Sequence, residues 1–371
     1  MTGAERTVKE LLKLADIKVN GLQPFDIQVH DKRFYGRVLR GRELALGESY
    51  MDGWWDAKRV DELVSRLLTA DVRSKLRLSP GLVKTVLIST IFNRQTNARA
   101  KNNASYHYNI GNDLYERMLD KRMIYSCAYW KDAKNLDDAQ TAKLDLICRK
   151  LELKKGMTLL DIGCGWGGFA EYAARQYGAV VTGITPAAEQ VKIAKQRTKG
   201  LPVKILQKDY REISGTYDRI VSIGMLEHVE PKNYKEFFDR CNNMLKDDGM
   251  MLHHTIGSNN STLSSNAWTD KYIFPGGVLP SIAQISKAIE KRLIIEDLQN
   301  FGPYYDKTTM AWHANFIKHY PEIKDHYDEQ FYRMWTFYLL TSAGAFRSRS
   351  IQLWQIVMRK IVPAKTYIAA R

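Results

Sequence analysis

Cysteine is scarce in this chain. The sequence of 371 residues holds four cysteines, and their spacing matches neither a metal site nor a disulfide framework: Cys127, Cys148, Cys164 and Cys241. This pattern indicates reduced thiols in a cytoplasmic setting and predicts that no metal is bound. No apolar run approaches the ~20 residues of a membrane-spanning helix, and no signal peptide is visible. We therefore expect any contact with a membrane to be peripheral.

Acidic residues are outnumbered, with 41 Asp and Glu against 56 Lys and Arg and a formal net charge of +15. An excess of this size predicts an anionic partner, and the candidates are nucleic acid, an anionic membrane surface and an acidic substrate. A basic surface that serves solubility alone remains open. At this length the chain is expected to form about two domains.

Residues 73–102 contain no acid at all. Their basic side chains flank and interrupt a strongly apolar run at residues 82–92, which predicts a basic amphipathic helix suited to an anionic membrane surface. A helix that packs between two domains fits the same pattern equally well. Because the basic residues alternate with aliphatic rather than aromatic side chains, the stretch argues against nucleic acid as the partner. The polar residues 93–105 are typical of a linker.

The region before this stretch is predicted to be mainly helical. Helical spacing of apolar residues predicts helices at 7–15 and 61–69, and two short strands are expected at 26–30 and 33–39, around an Asp31–Lys32 turn. Residues 47–55 form an aromatic run that ends in Trp54 and Trp55. Such a pair belongs either at a membrane interface or in a core, and the core position is the more frequent one.

The most informative stretch is Leu-Leu-Asp-Ile-Gly-Cys-Gly-Trp-Gly-Gly at residues 159–168. A short apolar run that ends in an acid predicts a buried parallel strand, and the glycines permit a sharp turn and the close approach of a ligand. Residues 166–177 have the spacing of a helix. Gly163, Gly165 and Gly168 fit G-x-G-x-x-G, so the unit predicts the nucleotide-binding turn of a doubly wound sheet.

The glycine motif alone does not identify the ligand. A dinucleotide site needs an acid after the second strand, whereas residues 180–184 lead into Thr185 and Pro186 without one. Asp161 stands instead at the end of the first strand, and no basic residue enters the turn. This arrangement resembles motif I of S-adenosylmethionine (SAM) methyltransferases. A dinucleotide site and a tight turn without a ligand are the alternatives.

Predicted strands and helices alternate through the rest of the chain, which indicates an α/β fold with a mostly parallel sheet and helices on both faces. Strands are expected at residues 180–185, 203–206, 217–222, 250–255 and 293–297, with a last strand at 352–360 on the sheet edge. Helices are expected at residues 135–151, 187–198, 234–245 and 282–290, and the aromatic-rich region from residue 306 onward is expected to be helical.

Several separate stretches point to one family: Tyr-Ser-Cys-Ala-Tyr-Trp at 125–130, Leu-Glu-His-Val at 226–229, His-Thr-Ile-Gly at 254–257, Lys-Tyr-Ile-Phe-Pro at 271–275 and Asn-Phe-Gly-Pro-Tyr-Tyr at 300–305. In these stretches the chain resembles the cyclopropane-fatty-acyl-phospholipid synthases. Residues 47–55 look like this bacterial enzyme too. The resemblance implies the doubly wound sheet of a class I SAM methyltransferase with a smaller, mainly helical N-terminal domain. It implies a lipid-associated domain at residues 1–92, a linker at 93–105 and a SAM-dependent catalytic domain at 106–371.

The activity that the resemblance implies is transfer of the SAM methyl carbon to the cis double bond of an unsaturated phospholipid acyl chain, followed by ring closure. The addition leaves a carbocation that must be kept from water and stabilised by electron-rich groups, for which the aromatic candidates are Phe301, Tyr304, Tyr305 and Tyr272. The implied partners are the phospholipid bilayer surface, at the inner face of the cytoplasmic membrane, and its unsaturated acyl chains. The implied assembly is a homodimer.

Ring closure needs a base, and the resemblance implies a bound bicarbonate ion for this role. Its holders would be Cys127, Glu227, His254, the Ile256 backbone and Tyr305, with Glu296 as a supporting acid. Hydroxyl, imidazole and backbone N–H groups donate to an anion, whereas a carboxylate needs a proton between itself and the anion. Taken singly, Cys127 and His254 are more often core residues, and Glu227 could belong to a helix N-terminus. Their joint occurrence at strand ends favours a site.

The SAM contacts that the resemblance implies surround the glycine turn. We expect Tyr125 and Ser126 at the amino-acid portion, Gly163 and Gly165 beside Asp161 at the methionine half, Thr185 and Gln190 at the ribose region, Asp209 and Tyr210 at the adenine, and Gly224 closing the pocket. A methyltransferase that stops after methyl transfer, on a small molecule or a lipid, fits the glycine motif as well. The bicarbonate residues argue against it, because simple methylation needs no such base.

Overall fold

The structure is a computed structural model that describes residues 2–72, 111–361 and 366–371. The predicted basic amphipathic stretch at 73–102 and the predicted linker at 93–105 lie outside the described residues. In the part of the chain that is described, no helix has both the length and the apolar character needed to cross a membrane.

The helices, numbered in chain order within the described residues, are α1 Gly3–Lys13, α2 Arg33–Met51, α3 Val60–Thr69, α4 Asn112–Met118, α5 Leu136–Lys150, α6 Gly168–Tyr177, α7 Ala188–Arg197, α8 Tyr234–Met244, α9 Ala267–Tyr272, α10 Ile282–Ile289, α11 Gly302–His319 and α12 Glu329–Arg347. The strands are β1 Gln28–Val29, β2 Trp55–Asp56, β3 Thr158–Ile162, β4 Val180–Thr185, β5 Val203–Gln207, β6 Tyr217–Ile223, β7 Leu245–Ser258, β8 Leu293–Asn300 and β9 Ile351–Lys360.

Internal contacts divide the chain into two compact units. The described part of the first unit comprises residues 2–72 with two later segments, Ser264–Pro275 and Tyr305–Ile351, and the second comprises residues 111–263, Gly276–Tyr304 and the described part of Gln352–Arg371. The two later segments fall within the range predicted for the catalytic domain. They group with the N-terminal helices because α12 packs on α2 and α3, and Arg347 of α12 pairs with Asp61 of α3 at 2.6 Å.

The first unit is mainly helical, as predicted, but one expected strand is wrong. Residues 33–39 do not form a strand and instead begin α2. The helical spacing brings Arg33 and Arg37, one turn apart, onto the same ring of Trp54, at 4.6 and 4.7 Å from its centre. Arg37 also pairs with Glu48 near the other end of the helix. Trp55 is fully buried against Tyr50 and Phe337, so the core position expected for the Trp pair holds for Trp55.

The second unit is built on a seven-stranded sheet with the strand order β5-β4-β3-β6-β7-β9-β8. β5, β4, β3, β6 and β7 pair in parallel, and β8 and β9 pair antiparallel. Alternate residues of β3 point to opposite faces. Leu160 and Ile162 pack in a core with side chains of α8 and α10, whereas Leu159 packs in a second core with those of α5 and α6. Helices therefore cover both faces, and the predicted α/β class is confirmed.

The last strand does not lie at the edge of the sheet. β9 is placed between β7 and β8, which corrects the prediction for residues 352–360. The burial along β9 explains its place, since Leu353, Ile356, Val357 and Met358 are at most 1 % exposed. A strand without an exposed face is typical of a sheet interior. β8 forms the edge instead and exposes several of its apolar side chains.

Gly257 of β7 packs against the indole ring of Trp354 on β9. A methyl group added at Gly257 would overlap the Trp354 ring, which is buried in the core. We predict that Gly257→Ala lowers the free energy of unfolding by about 1–3 kcal/mol, as overpacked cores generally do. Gly3→Ala is the control, because the added methyl meets open space there. Denaturant titration of both variants checks the prediction, and an unchanged midpoint for Gly257→Ala would contradict the packing described.

Candidate active site

The glycine turn joins β3 to α6, and its glycines have different structural roles. Gly163 and Gly165 have φ values of 85° and 53°, a left-handed backbone that side chains rarely tolerate. A Cβ at Gly165 would meet no atom within 4 Å, so the backbone there borders open space. A Cβ at Gly168 would lie 2.7 Å from the Arg122 carbonyl oxygen, so this glycine permits close packing of α6. The turn therefore exposes its backbone on one side and packs tightly on the other.

A cavity opens at the carboxyl ends of β3, β4 and β6, next to this turn. It brings together all of the residues predicted to contact SAM: Tyr125, Ser126, Asp161, Gly163, Gly165, Thr185, Gln190, Asp209, Tyr210 and Gly224. Parallel strands end at one edge of the sheet, which is where open α/β sheets bind their ligands. The geometry thus assembles the predicted set at one place, and its role in binding SAM stays a prediction.

Two hydrogen-bonded groups order the far side of the cavity. The Thr185 hydroxyl at the end of β4 donates to Gln190 Oε1 on α7 at 2.6 Å, and both residues are almost fully buried. The Asp209 carboxylate accepts from the backbone and the guanidinium of Arg211, at 3.0 and 2.7 Å. Thr185, Gln190 and Asp209 are therefore held in place by hydrogen bonds within the protein. This lowers the entropic cost of ordering them when a ligand binds.

Asp161 and Lys143 are two buried ionisable groups on the wall of the same cavity. Burial raises the pKa of Asp161 to about 7, although the charge of Lys143 opposes this rise. Asp161 Oδ2 has no hydrogen-bond partner among the described residues. A buried carboxyl oxygen without a partner is costly, and such an atom marks stored strain, a catalytic role or a place where water, an ion or a ligand binds. The cavity therefore fits a ligand with a hydrogen-bond donor or a positive charge near Asp161.

Sequence reasoning missed Lys143, although the sequence carried a signal for it. Lys143 lies four residues after Ala139 and four before Ile147, on the apolar face predicted for the helix at 135–151. A lysine on the buried face of a helix must end beside a charge or a polar cavity. Lys143 is fully buried and donates to Ser126 Oγ at 2.8 Å.

A second cluster lies where β6 and β7 end. Glu227 follows β6, and its Oε1 accepts a hydrogen bond of 2.6 Å from the backbone N–H of Ile256 in β7. The cluster adjoins the cavity, because Gly224 of the cavity wall donates its N–H to the His254 carbonyl at 2.8 Å. The structure thus brings Glu227, His254 and Ile256 together, as the bicarbonate prediction requires.

Both side chains of this cluster keep one polar atom unpaired. Gln355 Nε2 donates to His254 Nδ1 at 3.3 Å, which places the imidazole proton on Nε2. His254 Nε2 and Glu227 Oε2 are buried and have no hydrogen-bond partner within residues 2–72, 111–361 and 366–371. Burial and the nearby positive charge of Lys143 hold the pKa of His254 well below its usual value, so the ring is neutral. The N–H of His254 can donate to a small hydrogen-bonding anion, and Glu227 Oε2 can share a proton with one.

The other predicted catalytic residues have different surroundings. Cys127 is fully buried and its thiol donates to the Ala128 carbonyl at 3.3 Å. Glu296 lies at an irregularity in β8, and its carboxylate is 4.0 Å from Arg359 Nε. Tyr305 belongs to the first unit, where its ring stacks on Phe346 with the centres 4.5 Å apart. Their roles at the anion site remain predictions.

A cluster of aromatic rings in the second unit reaches His254 through Phe301. Phe301 lies 6.1 Å from the His254 ring, and Tyr129 lies 5.3 Å from both Phe301 and Tyr304, measured between ring centres. Of the four aromatic residues predicted to stabilise a carbocation, Phe301 and Tyr304 share this cluster. Tyr272 lies in the first unit, where its hydroxyl donates to Glu48 at 3.0 Å. Tyr129 is an additional candidate that the sequence reasoning missed.

Comparison with known proteins agrees with this geometry. A family model described as mycolic acid cyclopropane synthetase matches residues 95–356. The chain is 50% identical over 355 residues to the cyclopropane-fatty-acyl-phospholipid synthase of Escherichia coli (strain K12), covering 96% of this chain and 93% of that protein. It is 31% identical to sphingolipid C9-methyltransferase A of Emericella nidulans, over 89% of this chain and 67% of that protein. The solved structure of mycolic acid cyclopropane synthase CmaA1 complexed with SAH and CTAB superposes with a TM-score of 0.66, at 32% identity, covering 70% of this chain and 98% of that one.

The buried carboxyl of Glu227 generates a prediction about stability. Burial raises its pKa to about 7 from the ordinary value of 4.5, so the folded state retains a proton that the unfolded state has lost between these two pH values. By linkage, this group makes the free energy of unfolding fall as pH rises from about 5 to about 8. Glu227→Gln removes that titration. Relative to Glu227→Gln, the free energy of unfolding of the wild type should therefore fall by on the order of 3 kcal/mol as the pH rises over this range.

Urea denaturation at several pH values measures the difference. Glu290→Gln is the matched control, because Glu290 is exposed. A constant difference between wild type and Glu227→Gln across the range would show that the Glu227 carboxyl is not buried as described.

Proposed function

The chain belongs to the mycolic acid cyclopropane synthetase family of SAM-dependent methyltransferases, and from this membership we propose that it forms cyclopropane rings on unsaturated phospholipid acyl chains. The methyl carbon would come from SAM and add to the cis double bond. The observation that carries the proposal is the cluster of Glu227 and His254, with its two unpaired polar atoms, beside the cavity of the glycine turn. Simple methyl transfer has no use for a second polar site of this kind.

The cavity residues suit SAM. The bare backbone at Gly165, the unpaired Oδ2 of Asp161 and the ordered pair of Thr185 and Gln190 supply an open approach, an acceptor and a fixed polar wall. When bound, SAM supplies a methyl carbon on a sulfonium, which is electrophilic enough to react with an alkene. The part of the protein is to orient the double bond against this carbon and to exclude water.

The next requirement is control of the positive charge on the acyl chain. A carbocation next to the new methyl group would react with any nucleophile that reached it. The rings of Phe301, Tyr304 and Tyr129 offer electron-rich faces that attract a cation without forming a bond to it. The ring of Phe301 lies 6.1 Å from that of His254, between ring centres, and so joins the aromatic cluster to the proposed anion site.

Removal of a proton from the new methyl group closes the ring, and we assign the base to a bicarbonate ion held by Glu227 and His254. The neutral His254 would donate from Nε2. A carboxyl group and an anion can hydrogen-bond to each other only when one proton lies between them. Burial raises the pKa of Glu227 to about 7, so Glu227 would share one proton with the bicarbonate ion. The Ile256 N–H already donates to Glu227, so it would act by holding the carboxyl in place. Cys127 would complete the site, with Glu296 in support, and Tyr305 keeps the role that the resemblance to the family implies.

The lipid partner and the assembly are proposed on separate grounds. The net charge of +15 supports peripheral binding to the anionic inner face of the cytoplasmic membrane. In the first unit, the stack of Arg33 and Arg37 on the partly exposed Trp54 has the chemistry of a headgroup contact, an amphipathic ring beside cations. The proposed homodimer rests on the resemblance to the family alone.

The proposed base is tested with two variants. If Cys127 were a nucleophile, Cys127→Ser would be almost inactive, because a neutral hydroxyl is a far weaker nucleophile. If it only helps to hold an anion, the serine can still hydrogen-bond and substantial activity remains. Glu227→Gln should lose ~2–4 orders of magnitude, the range for a poorly held general base, with little change in SAM affinity.

The measurement is turnover on unsaturated-phospholipid vesicles in carbonate-depleted buffer, with and without added bicarbonate. We expect bicarbonate to restore the activity of the wild type and of Cys127→Ser. An inactive Cys127→Ser, an active Glu227→Gln and indifference to bicarbonate would together refute the anion-base mechanism.

A further inference from the structure

Two lysines of α5 are fully buried, and their surroundings differ. Lys150, near the end of the helix, lies 3.3 Å from Asp297 Oδ2 and so has a carboxylate to balance its charge. Lys143, two turns earlier, forms no ion pair within the described residues, and its one hydrogen bond there goes to Ser126 Oγ at 2.8 Å. The charge of Lys143 interacts electrostatically with the carboxyl groups of Asp120 and Asp161 but contacts neither in an ion pair. An ammonium group removed from water without a direct ion pair is costly. This buried ammonium group lies at the wall of the cavity, which Lys143 and Ser126 both line.

The pairing with Lys143 fixes the direction of the Ser126 hydroxyl. An ammonium group only donates, so Ser126 Oγ accepts from Lys143, and its own O–H must donate to another group. The described residues offer Ser126 Oγ no acceptor. The backbone of the same segment is held as well, because Gln140 Nε2 donates to the Ser126 carbonyl at 2.8 Å. A fixed segment therefore presents a hydroxyl donor, backed by a positive charge, at the cavity wall.

The same cavity holds the opposite charge. Asp161 has an unpaired Oδ2 and lines the same cavity as Lys143. Burial lowers the pKa of Lys143 to about 8, so the lysine still carries its charge at neutral pH. A buried cation and a buried carboxyl that do not pair directly match a ligand that is itself zwitterionic. The amino-acid end of SAM has this chemistry, with an ammonium and a carboxylate on one carbon.

We infer that Lys143 is a positioning residue for the carboxylate of SAM, an inference that rests on the cofactor assigned in the proposed function. By occupying a lone pair of Ser126 Oγ, Lys143 makes the Ser126 hydroxyl a donor to that carboxylate. Its ammonium also offsets the negative charge that the carboxylate brings into a buried site. Asp161 receives the ammonium end of the same group.

This role predicts discrimination between ligands, which a merely structural lysine would not provide. S-adenosylhomocysteine carries the amino-acid end, whereas 5′-methylthioadenosine lacks it and keeps the nucleoside. We expect Lys143→Met to weaken S-adenosylhomocysteine by about 10- to 100-fold, the usual effect of losing a hydrogen bond to a charged group. Binding of 5′-methylthioadenosine should change by less than about threefold. Lys143→Gln retains a donor to Ser126 without the charge. Its affinity for S-adenosylhomocysteine should lie between those of the wild type and Lys143→Met.

Isothermal titration calorimetry of the full chain with both ligands makes the comparison, and circular dichroism shows which variants fold. Lys150→Met is the matched control, because it removes an equally buried lysine from the same helix away from the cavity. It should affect both ligands alike. In a Ser126→Ala background, Lys143→Met should weaken S-adenosylhomocysteine less than it does in the wild type, because Ser126→Ala has already removed the donor that Lys143 orients and only the charge of Lys143 is left to lose.

The outcomes separate this inference from the proposed function. If the wild type binds S-adenosylhomocysteine and Lys143→Met weakens both ligands equally, or neither, the positioning role is wrong and the cofactor assignment stands. If Lys143→Met does not fold, the same result with Lys143→Gln leads to the same conclusion. If the wild type binds neither ligand, the cofactor assignment fails, and the positioning role fails with it.

Discussion

Parallel pairing of β3, β4, β6 and β7 is the constraint on which the rest of the second unit depends. Because these strands run in the same direction, the residues at their carboxyl ends meet at one edge of the sheet. Asp161, Thr185, Gly224 and His254 are far apart in the sequence and come together only through this pairing. The cavity of the glycine turn and the cluster of Glu227 and His254 are therefore neighbours, as a methyl transfer followed by proton removal requires.

Several ionisable side chains are buried at or near the carboxyl ends of these parallel strands. Asp161, Glu227, Lys143 and His254 are each at most 8 % exposed, and burial moves the pKa of each one towards its neutral form. Replacing buried ionised groups by well-packed hydrophobic residues is often neutral or stabilising, so these groups are poor contributors to stability. Such groups cluster where chemistry is done, because burial gives carboxyl and amino groups pKa values near neutrality. Stability is given up here for a site with several unpaired donors and acceptors.

Much of this could be predicted from the sequence, because the features concerned are local. The strand at 180–185 has the predicted bounds, and the glycine turn fixed the position of the cavity, since a strand, a tight turn and a helix are specified by adjacent residues. The set of SAM contacts came from motif resemblance and met at one cavity because each motif follows a strand end. The class I SAM-methyltransferase fold is confirmed by the solved relatives.

The errors arose where long-range packing decides the outcome. Residues 33–39 looked like a strand by composition, but stacking of Arg33 and Arg37 on Trp54 requires helical spacing. The place of β9 inside the sheet depends on which strands pair, which no local pattern encodes. Lys143 was overlooked because a lysine normally marks an exposed position.

The central claim is that the enzyme closes a ring and does not stop at methylation. Its most direct test is mass spectrometry and proton NMR of phospholipids from cells that express the chain. We expect acyl chains heavier by one CH₂, loss of the olefinic signal and the appearance of cyclopropane protons upfield. A saturated or unsaturated methyl-branched chain without cyclopropane protons would contradict ring closure.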